Sequence, residues 1–313
     1  MKTLALIANS AAGNGFAYRA LDRGRKTLWG WPLETIFPKS CEELEATCAG
    51  LDSEKYEAAV VLGGDGTVNR ALRGLIKSQV PLYPFPLGTA NDLAAEQGLR
   101  ADWEQVQRLV DSQRYAKIDL IQVNDAPFAT VGGIGVGAII TRLVNQRRKA
   151  DWFRTLMKRA RSEVYSLMSA TTILFHPRLL HDVQIESPET SSGAFDEKLK
   201  TGAVFVCNQN FLGGNIQVSS RSRNNDQRFC VLIVPRQSRY GLLDALLELR
   251  SGKLNSRKRS GDFISFETNQ LTVKSLSQKS IHVFGDGEVL TDSHTLDFKL
   301  IPNALRVYRG TPE

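Results

Sequence analysis

Val60-Val61-Leu62-Gly63-Gly64-Asp65-Gly66-Thr67-Val68-Asn69 decides how this chain is read. An apolar run, Ala58 to Leu62, ends in three glycines around one aspartate, and a helix-like stretch from Val68 to Ile76 follows. The pattern predicts strand, glycine turn, helix. That unit aims backbone N–H groups and a helix N-terminus at one point, which attracts phosphate. Gly63, Gly64 and Gly66 would let main chain approach a ligand with no Cβ in the way. Taken alone, the turn has an equally good steric explanation, because many such units carry two glycines merely to close.

Two further elements add weight. Pro86-Leu87-Gly88-Thr89-Ala90-Asn91-Asp92-Leu93-Ala94 follows a second apolar strand, Pro81 to Phe85, and also opens a helix. Thr89, Asn91 and Asp92 would stand at a strand's C-terminal end, the edge where open α/β sheets bind ligands. Near the C-terminus, Phe284-Gly285-Asp286-Gly287-Glu288 follows the β-like run Ser280 to Phe284. By itself that segment reads as an ordinary Asp-Gly hairpin turn.

Together the three elements resemble the diacylglycerol kinase catalytic-domain superfamily, and within it the bacterial soluble lipid kinases related to sphingosine and ceramide kinases. Leu6 to Gly15 resembles the family's first nucleotide loop, Gly63 to Asn69 its signature loop, Leu87 to Ala94 its second signature, Ile118-Asp119-Leu120 the strand leaving the nucleotide domain, and Asp286-Gly287-Glu288 its catalytic turn. The glycine turn is shared with NAD kinases and phosphofructokinases, whereas the Gly88 to Asp92 run favours the lipid branch. The resemblance implies an α/β plus all-β chain. A Rossmann-like three-layer nucleotide domain (residues 1–124, with about 297–313 returning to it) precedes a C-terminal β-sandwich lipid-substrate domain (125–296), with the active site in the cleft between them.

It also implies roles. Asn9, Gly13, Gly63, Gly64, Asp65, Gly66, Thr67, Asn69, Thr89 and Asn91 would bind the nucleotide, ATP. Asp65 would act through Mg2+ or position the phosphates directly. Asp92, Asp119 and Asp226 would serve the metal. Asp286 would be the general base, with Glu288 as competing candidate or orienting partner. The chain departs from the family twice. Arg70 stands where the family usually has Glu, which fits either a phosphate contact or an altered activity. Asp226-Gln227-Arg228-Phe229-Cys230 replaces an Asp-Gly-x-x-Asp metal turn and keeps only its first Asp.

Composition sets bounds. The chain has 313 residues, 42% of them hydrophobic, enough for one large domain or two ordinary ones. A net charge of +7 suits anionic partners, whether nucleic acid, nucleotide or acidic lipid. Four cysteines, Cys41, Cys48, Cys207 and Cys230, show no metal spacing or disulfide framework, so a reducing cytosol is the expected compartment. The N-terminal apolar run is too short for a signal peptide and reads as a buried strand. The uncharged run Ala126 to Thr141 is too short for a bilayer, which takes about 20 apolar residues.

The first part alternates strands (Thr3–Ala8, Leu33–Phe37, Ala58–Leu62, Pro81–Phe85, Ala116–Val123) with helices (Cys41–Ala49, Val68–Ser78, Trp103–Ser112), the signature of a covered parallel sheet. After about residue 124 the segments become β-like, with helices expected over Ala150–Ser169 and Leu242–Ser251. Gly133-Ile134-Gly135-Val136-Gly137-Ala138 meets the dinucleotide-binding spacing but lacks an acidic residue about 20 positions on. Arg142 to Arg161 carries eight basic residues interleaved with Trp152, Phe153, Leu156, Met157 and Val164. It reads equally as a membrane-surface helix or a solvated face. Stacking aromatics are too few there for nucleic acid, which is not expected as a partner. A homodimer is the expectation from base rates alone.

The reading is therefore an ATP-dependent lipid kinase, cytoplasmic and peripherally membrane-associated, with a diacylglycerol-like acceptor. Two alternatives stand beside it: a nucleotide-binding pseudokinase, suggested by Arg70 and the eroded metal turn, and a kinase of a non-lipid acceptor.

Overall fold

The computed structural model describes residues 1–8, 16–147, 150, 152–153, 156, 161–177, 179–190, 193–212, 216–219, 222–235, 238–251 and 263–310. The chain divides into two compact units, Met1–Ile118 with Pro302–Glu313, and Asp119–Ile301.

The first unit alternates β1 (Thr3–Ala8), α1 (Phe16–Thr27), β2 (Leu33–Ile36), α2 (Cys41–Ala49), β3 (Tyr56–Gly63), α3 (Asp65–Ser78), β4 (Leu82–Pro86), α4 (Asp92–Glu96) and α5 (Trp103–Asp111). The strands run parallel in the order β2-β1-β3-β4. The chain's last strand returns beside β4, also parallel, with Val307 opposite Leu82. β3 is buried along its whole length, which explains its unbroken apolar run: a parallel strand has helices on both faces. Alternate residues Ala58, Val60 and Leu62 face a core shared with Leu21, Trp103 and Val106 of α1 and α5. On α3, Ala71, Leu72 and Leu75 are buried, and that helix packs against α2 and β3. Helix α3 begins at Asp65, three residues before the sequence pattern suggests. The apolar periodicity begins only at Val68, so the glycine segment forms the first turn without showing in the pattern.

The second unit is a β-sandwich with a helical layer. Its elements are β5 (Tyr115–Val123, from Asp119), β6 (Ala126–Phe128), β7 (Val131–Gly135), α6 (Val136–Arg147), α7 (Arg161–Phe175), β8 (His181–Thr190), β9 (Gly193–Thr201), β10 (Ala203–Cys207), the two-residue strands β11 (Phe211–Leu212) and β12 (Ile216–Gln217), β13 (Phe229–Val234), α8 (Arg239–Arg250), β14 (Ile264–Thr268), β15 (Gln270–Ser275), β16 (Ile281–Gly285), β17 (Glu288–Ser293) and the first half of β18 (Thr295–Tyr308). One sheet orders β6-β5-β18-β15-β8-β9 and the other β14-β13-β10-β7-β16-β17. Val183, Ile185, Leu271, Val273, Leu296 and Phe298 of the first face Val204, Val206, Val231 and Ile233 of the second.

The second sheet is covered on its other side too. Phe205, Cys207, Cys230, Leu232 and Phe284 pack with Ile140, Val144, Ile173, Leu242 and Leu249 of the three helices. Double coverage explains why β10 and β13 read as continuous apolar runs. The outer strand β9, by contrast, is mostly exposed and reads Gly-Ala-Phe-Asp-Glu-Lys-Leu-Lys-Thr. Charge on an edge strand discourages edge-to-edge pairing, and it hides the strand from hydrophobic patterning.

Of the expected helix Ala150–Ser169, residues 152–153, 156 and 161–169 are described as helical, and a further helix stands before it. Helix α6 starts earlier, directly after the glycine-rich strand β7, and α7 runs to Phe175. The glycines of Gly133 to Ala138 have steric work: a Cβ on Gly133 (φ +144°) would stand 1.9 Å from the Val204 carbonyl oxygen. Arg148, Lys149, Arg154, Lys158 and Arg159, and Lys253 with Arg257 to Arg259, lie outside the described residues.

Candidate active site

In the first unit the two glycine loops lie backbone against backbone. Leu87 N–H donates to the Gly63 carbonyl at 2.9 Å. A Cβ on Gly88 would come within 2.4 Å of the Gly64 Cα, and one on Gly64 within 3.0 Å of the Gly88 Cα. Gly64 caps α3 in an extended conformation with no side-chain hydrogen bond. The N–H groups of Asp65, Gly66 and Thr67 occupy the helix's first turn, where no intrahelical acceptor exists. The first intrahelical bond is from Val68 N–H to Gly64 O at 3.0 Å. Oriented donors at the positive end of a 14-residue helix make a ready anion site. Thr67 and Thr89 are half-buried beside them.

Asp65 reaches across to the second glycine loop. Its Oδ2 accepts from Asn91 N–H at 2.9 Å and its Oδ1 from Asp92 N–H at 2.7 Å. The carboxylate thus clamps the start of α4 onto the signature loop. Asn91, in the left-handed region (φ 54°), folds its side chain onto its own turn, accepting from Gly88 N–H at 2.9 Å and donating to Gly88 O at 3.0 Å. Asn69, expected as a nucleotide contact, is buried at 1% exposure and accepts from Arg73 at 3.3 Å. Arg70 pairs with Glu45 of α2 at 3.9 Å, so α2 supplies its counter-charge. Asn9 and Gly13 lie outside the described residues.

In the second unit Asp286 and Gly287 form the two-residue loop of the β16–β17 hairpin, both with positive φ (52° and 73°) and with Gly285 paired to Glu288. That is the type I′ combination for which Asp-Gly is favoured. Asp286 is buried, and its carboxylate accepts from Ala129 N–H (3.0 and 3.1 Å), Thr130 N–H (2.8 Å) and the Thr130 hydroxyl (2.7 Å). Its own N–H donates to Val131 O at 3.1 Å. The side chain stitches the hairpin to the β6–β7 link. Glu288 is half-buried, and its Oε2 accepts from the Asn145 amide of α6 at 2.9 Å. Glu288 is therefore the more accessible of the two carboxylates.

Asp119 is 1% exposed, and its Oδ2 accepts from Gln227 N–H at 2.7 Å. Asp226 stands on the same turn, where partial burial, with Glu267 and Asp119 adding like charge, raises its pKa. Among the described residues no group of three or more His, Cys, Asp or Glu side chains is arranged to hold a metal ion. Asp92 and Asp119, expected to reach the nucleotide's metal through water, and Asp226, expected at a separate structural metal turn, belong to no such group. Sequence reasoning missed Thr130, Asn145 and Asn208. Asn208 is fully buried and donates to Asp119 O (2.7 Å) and Ala129 O (2.9 Å), tying both carboxylate segments together. The signal was there: Asn208-Gln209-Asn210 puts three carboxamides directly after an apolar strand.

This pairing of an α/β unit with a β-sandwich, each with its own polar turn, agrees with the comparisons. Residues 3–123 match the diacylglycerol kinase catalytic domain, and residues 133–309 match the YegS C-terminal NAD kinase beta sandwich-like domain. The chain belongs to the diacylglycerol kinase catalytic-domain family, phosphotransferases with an alcohol group as acceptor. The "Putative lipid kinase SAS0691" of Staphylococcus aureus (strain MSSA476) is 25% identical over 272 residues, 86% of this chain and 81% of that protein. A "Putative lipid kinase" of Staphylococcus carnosus (strain TM300) is 20% identical over 313 residues, 96% of this chain and 95% of that one. The crystal structure of a "putative diacylglycerol kinase" from Bacillus anthracis str. Sterne superposes with a TM-score of 0.75 at 18% identity, covering 100% of this chain and 99% of that one, and shows the same fold.

Proposed function

We propose that this chain is an ATP-dependent lipid kinase that moves the γ-phosphoryl group to the hydroxyl of a lipid alcohol, diacylglycerol being the default acceptor. The observation that carries the reading is the contact of Gly64 with Gly88, which leaves the first-turn amides of α3 beside two loops stripped of side-chain bulk. In this reading Gly63, Gly64, Gly66, Thr67 and Thr89 cradle the donor's phosphates, while Asp65 and Asn91 hold the cradle's shape. Phosphoryl transfer depends mainly on positioning and on neutralising charge. The lipid oxygen forms its bond to the γ-phosphorus as the bond to the β–γ bridging oxygen breaks, and the hydroxyl proton passes to a carboxylate. Glu288 takes that role better than Asp286, because Asp286 accepts hydrogen bonds through both oxygens. Mg2+ is assigned no protein cage. It would arrive with the nucleotide, held mainly by phosphates and water, as this ion commonly is. Four free cysteines support a cytoplasmic setting. Among the described residues no helix is long and apolar enough to cross a membrane, so contact with lipid would be peripheral.

The test is transfer of labelled phosphate from ATP into a panel of lipids in mixed micelles, with Glu288→Gln and Gly88→Ala beside the wild type. A labelled lipid that disappears in both variants supports the kinase and names its acceptor. ATP binding without any labelled lipid would favour the pseudokinase reading. Labelling only of water-soluble alcohols would favour the third reading.

A further inference from the structure

The helical layer of the second unit carries more apolar surface than its packing requires. Trp152 (65% exposed), Leu156, Leu167 (66%), Leu174, Phe175 (79%), Tyr240 and Leu247 are all exposed there, most of the large exposed hydrophobics among the described residues. Between Tyr165 and Phe175, α7 has no charged residue. Large exposed apolar patches mark interaction sites. In the same layer a pocket of about 320 Å³ opens between α6 and α7, its walls including Leu143, Met168, Phe175, Arg147, Thr172 and His176. That size sits at the low end of small-ligand pockets, ~300–1,000 Å³. Arg147 is exposed and has no acidic partner among the described residues, and Arg142 is exposed five residues earlier on the same helix. Arg239, itself exposed, donates to the Ile173 and Leu174 carbonyls at the end of α7. The layer's exposed acids, Glu163 and Asp244, are not among the residues that line the pocket.

We infer that the α6–α7 pocket and the apolar face around it form a binding site for an acidic phospholipid of a membrane surface. The phosphate meets Arg147, the acyl chain lies along Leu143 and Met168, and Phe175 and Leu174 enter the interface. Charge complementarity selects this occupant: a groove lined by hydrocarbon with a guanidinium at its rim matches an anionic amphiphile. A single stretch of one helix carries both this site and the partner of Glu288, since Asn145, which donates to Glu288, lies between Leu143 and Arg147 on α6. The inference names the surface on which the proposed lipid kinase meets its substrate, and it rests on that reading only for the substrate's being a lipid.

The experiment is co-sedimentation of the full chain, without ATP, with phosphatidylcholine vesicles that either contain or lack phosphatidylglycerol. Wild type is expected to bind the anionic vesicles and not the neutral ones. A surface arginine is worth about 1 kcal/mol, about fivefold, at an anionic interface, so Arg147→Gln should weaken binding about fivefold and Arg147→Glu about thirtyfold. Phe175→Ala should weaken it about tenfold or more through lost apolar insertion. Both positions are exposed, and matching thermal unfolding would exclude misfolding. Equal binding by the variants, equal binding to neutral vesicles, or no binding at all overturns the proposal. So does a wild-type dimer that Phe175→Ala converts to monomer, which would make the face a subunit interface. Because no turnover is read, phosphorylation of a micellar short-chain diacylglycerol in a parallel assay tells whether the kinase reading fails independently.

Discussion

Asp65→Ala should destabilise the first unit before any ligand is added. The carboxylate accepts two backbone N–H groups, from Asn91 at 2.9 Å and Asp92 at 2.7 Å. A hydrogen bond to a charged group contributes about 1.5–3 kcal/mol. Asp65 is only half-buried, so the lower value applies to each bond, giving about 3 kcal/mol for the alanine variant and about half that for Asp65→Asn, which keeps one acceptor. With a urea slope of about 3 kcal/mol per molar, the alanine variant's midpoint falls by about 1 M. Tryptophan fluorescence is a suitable probe, because Trp29, Trp31 and Trp103 lie in the first unit and only Trp152 in the second. The measurement is made without nucleotide or metal. A midpoint within about 0.2 M of wild type, together with lost ATP binding, would refute the clamp and return Asp65 to a ligand-facing role.

Other consequences can be checked alongside. Gly88→Ala forces a Cβ toward the Gly64 backbone, which cannot yield as a flexible side chain could; a loss of about 1–3 kcal/mol in urea unfolding and of ATP-induced thermal stabilisation is expected. Glu288→Gln should lower kcat by about 10²–10⁴ while leaving the unfolding midpoint in place, whereas Asp286→Asn should lower the midpoint as well, since it disturbs the acceptors of Ala129 and Thr130. Of the four thiols only Cys41 is exposed, so a thiol reagent at neutral pH should modify one cysteine quickly and the others only on unfolding. Burial, with Glu45 adding to it, pushes the Cys48 thiol up to about 12. Because that folded pKa lies above the ordinary thiol value, the contribution is intact at neutral pH and is lost as pH rises from about 9, where the unfolded thiol ionises first.

Strands buried on both faces were the most legible part of the sequence, because burial writes itself as an apolar run. β1 and β13 fall where the pattern puts them, and β3 extends by only a residue or two. Exposed and irregular elements were not legible. β9 and β17 alternate weakly and carry charge, so a hydrophobic reading passes over them. The helix after Gly135 was missed because its apolar residues, Val136, Ile140 and Val144, continue an uncharged glycine-rich stretch without any capping signal. At the site, glycines were legible as backbone requirements. The roles of the acids were not, since sequence records that a carboxylate stands on a turn and not which amides surround it.

The two aspartates that carried most of the chemical expectation share one physical use. Asp65 accepts two main-chain amides of the neighbouring loop, and Asp286 accepts two amides and a hydroxyl of the neighbouring link. An aspartate is suited to this: its short side chain fixes both oxygens close to its own backbone, and each turn's glycines let the neighbour come near. Glutamate, one methylene longer, cannot hold its own turn so tightly, but it extends further from it. Glu288, two residues beyond Asp286, accepts from the Asn145 amide and stays half-exposed. The Asp-Gly-Glu order thus separates labour along three residues. The aspartate fixes the hairpin, the glycine completes its left-handed turn, and the glutamate reaches further out and stays half-exposed. A carboxylate that must receive a proton from a bound hydroxyl has to be reachable by it, and for that reason the proposed chemistry falls to the half-exposed Glu288 and the architecture to the buried Asp286.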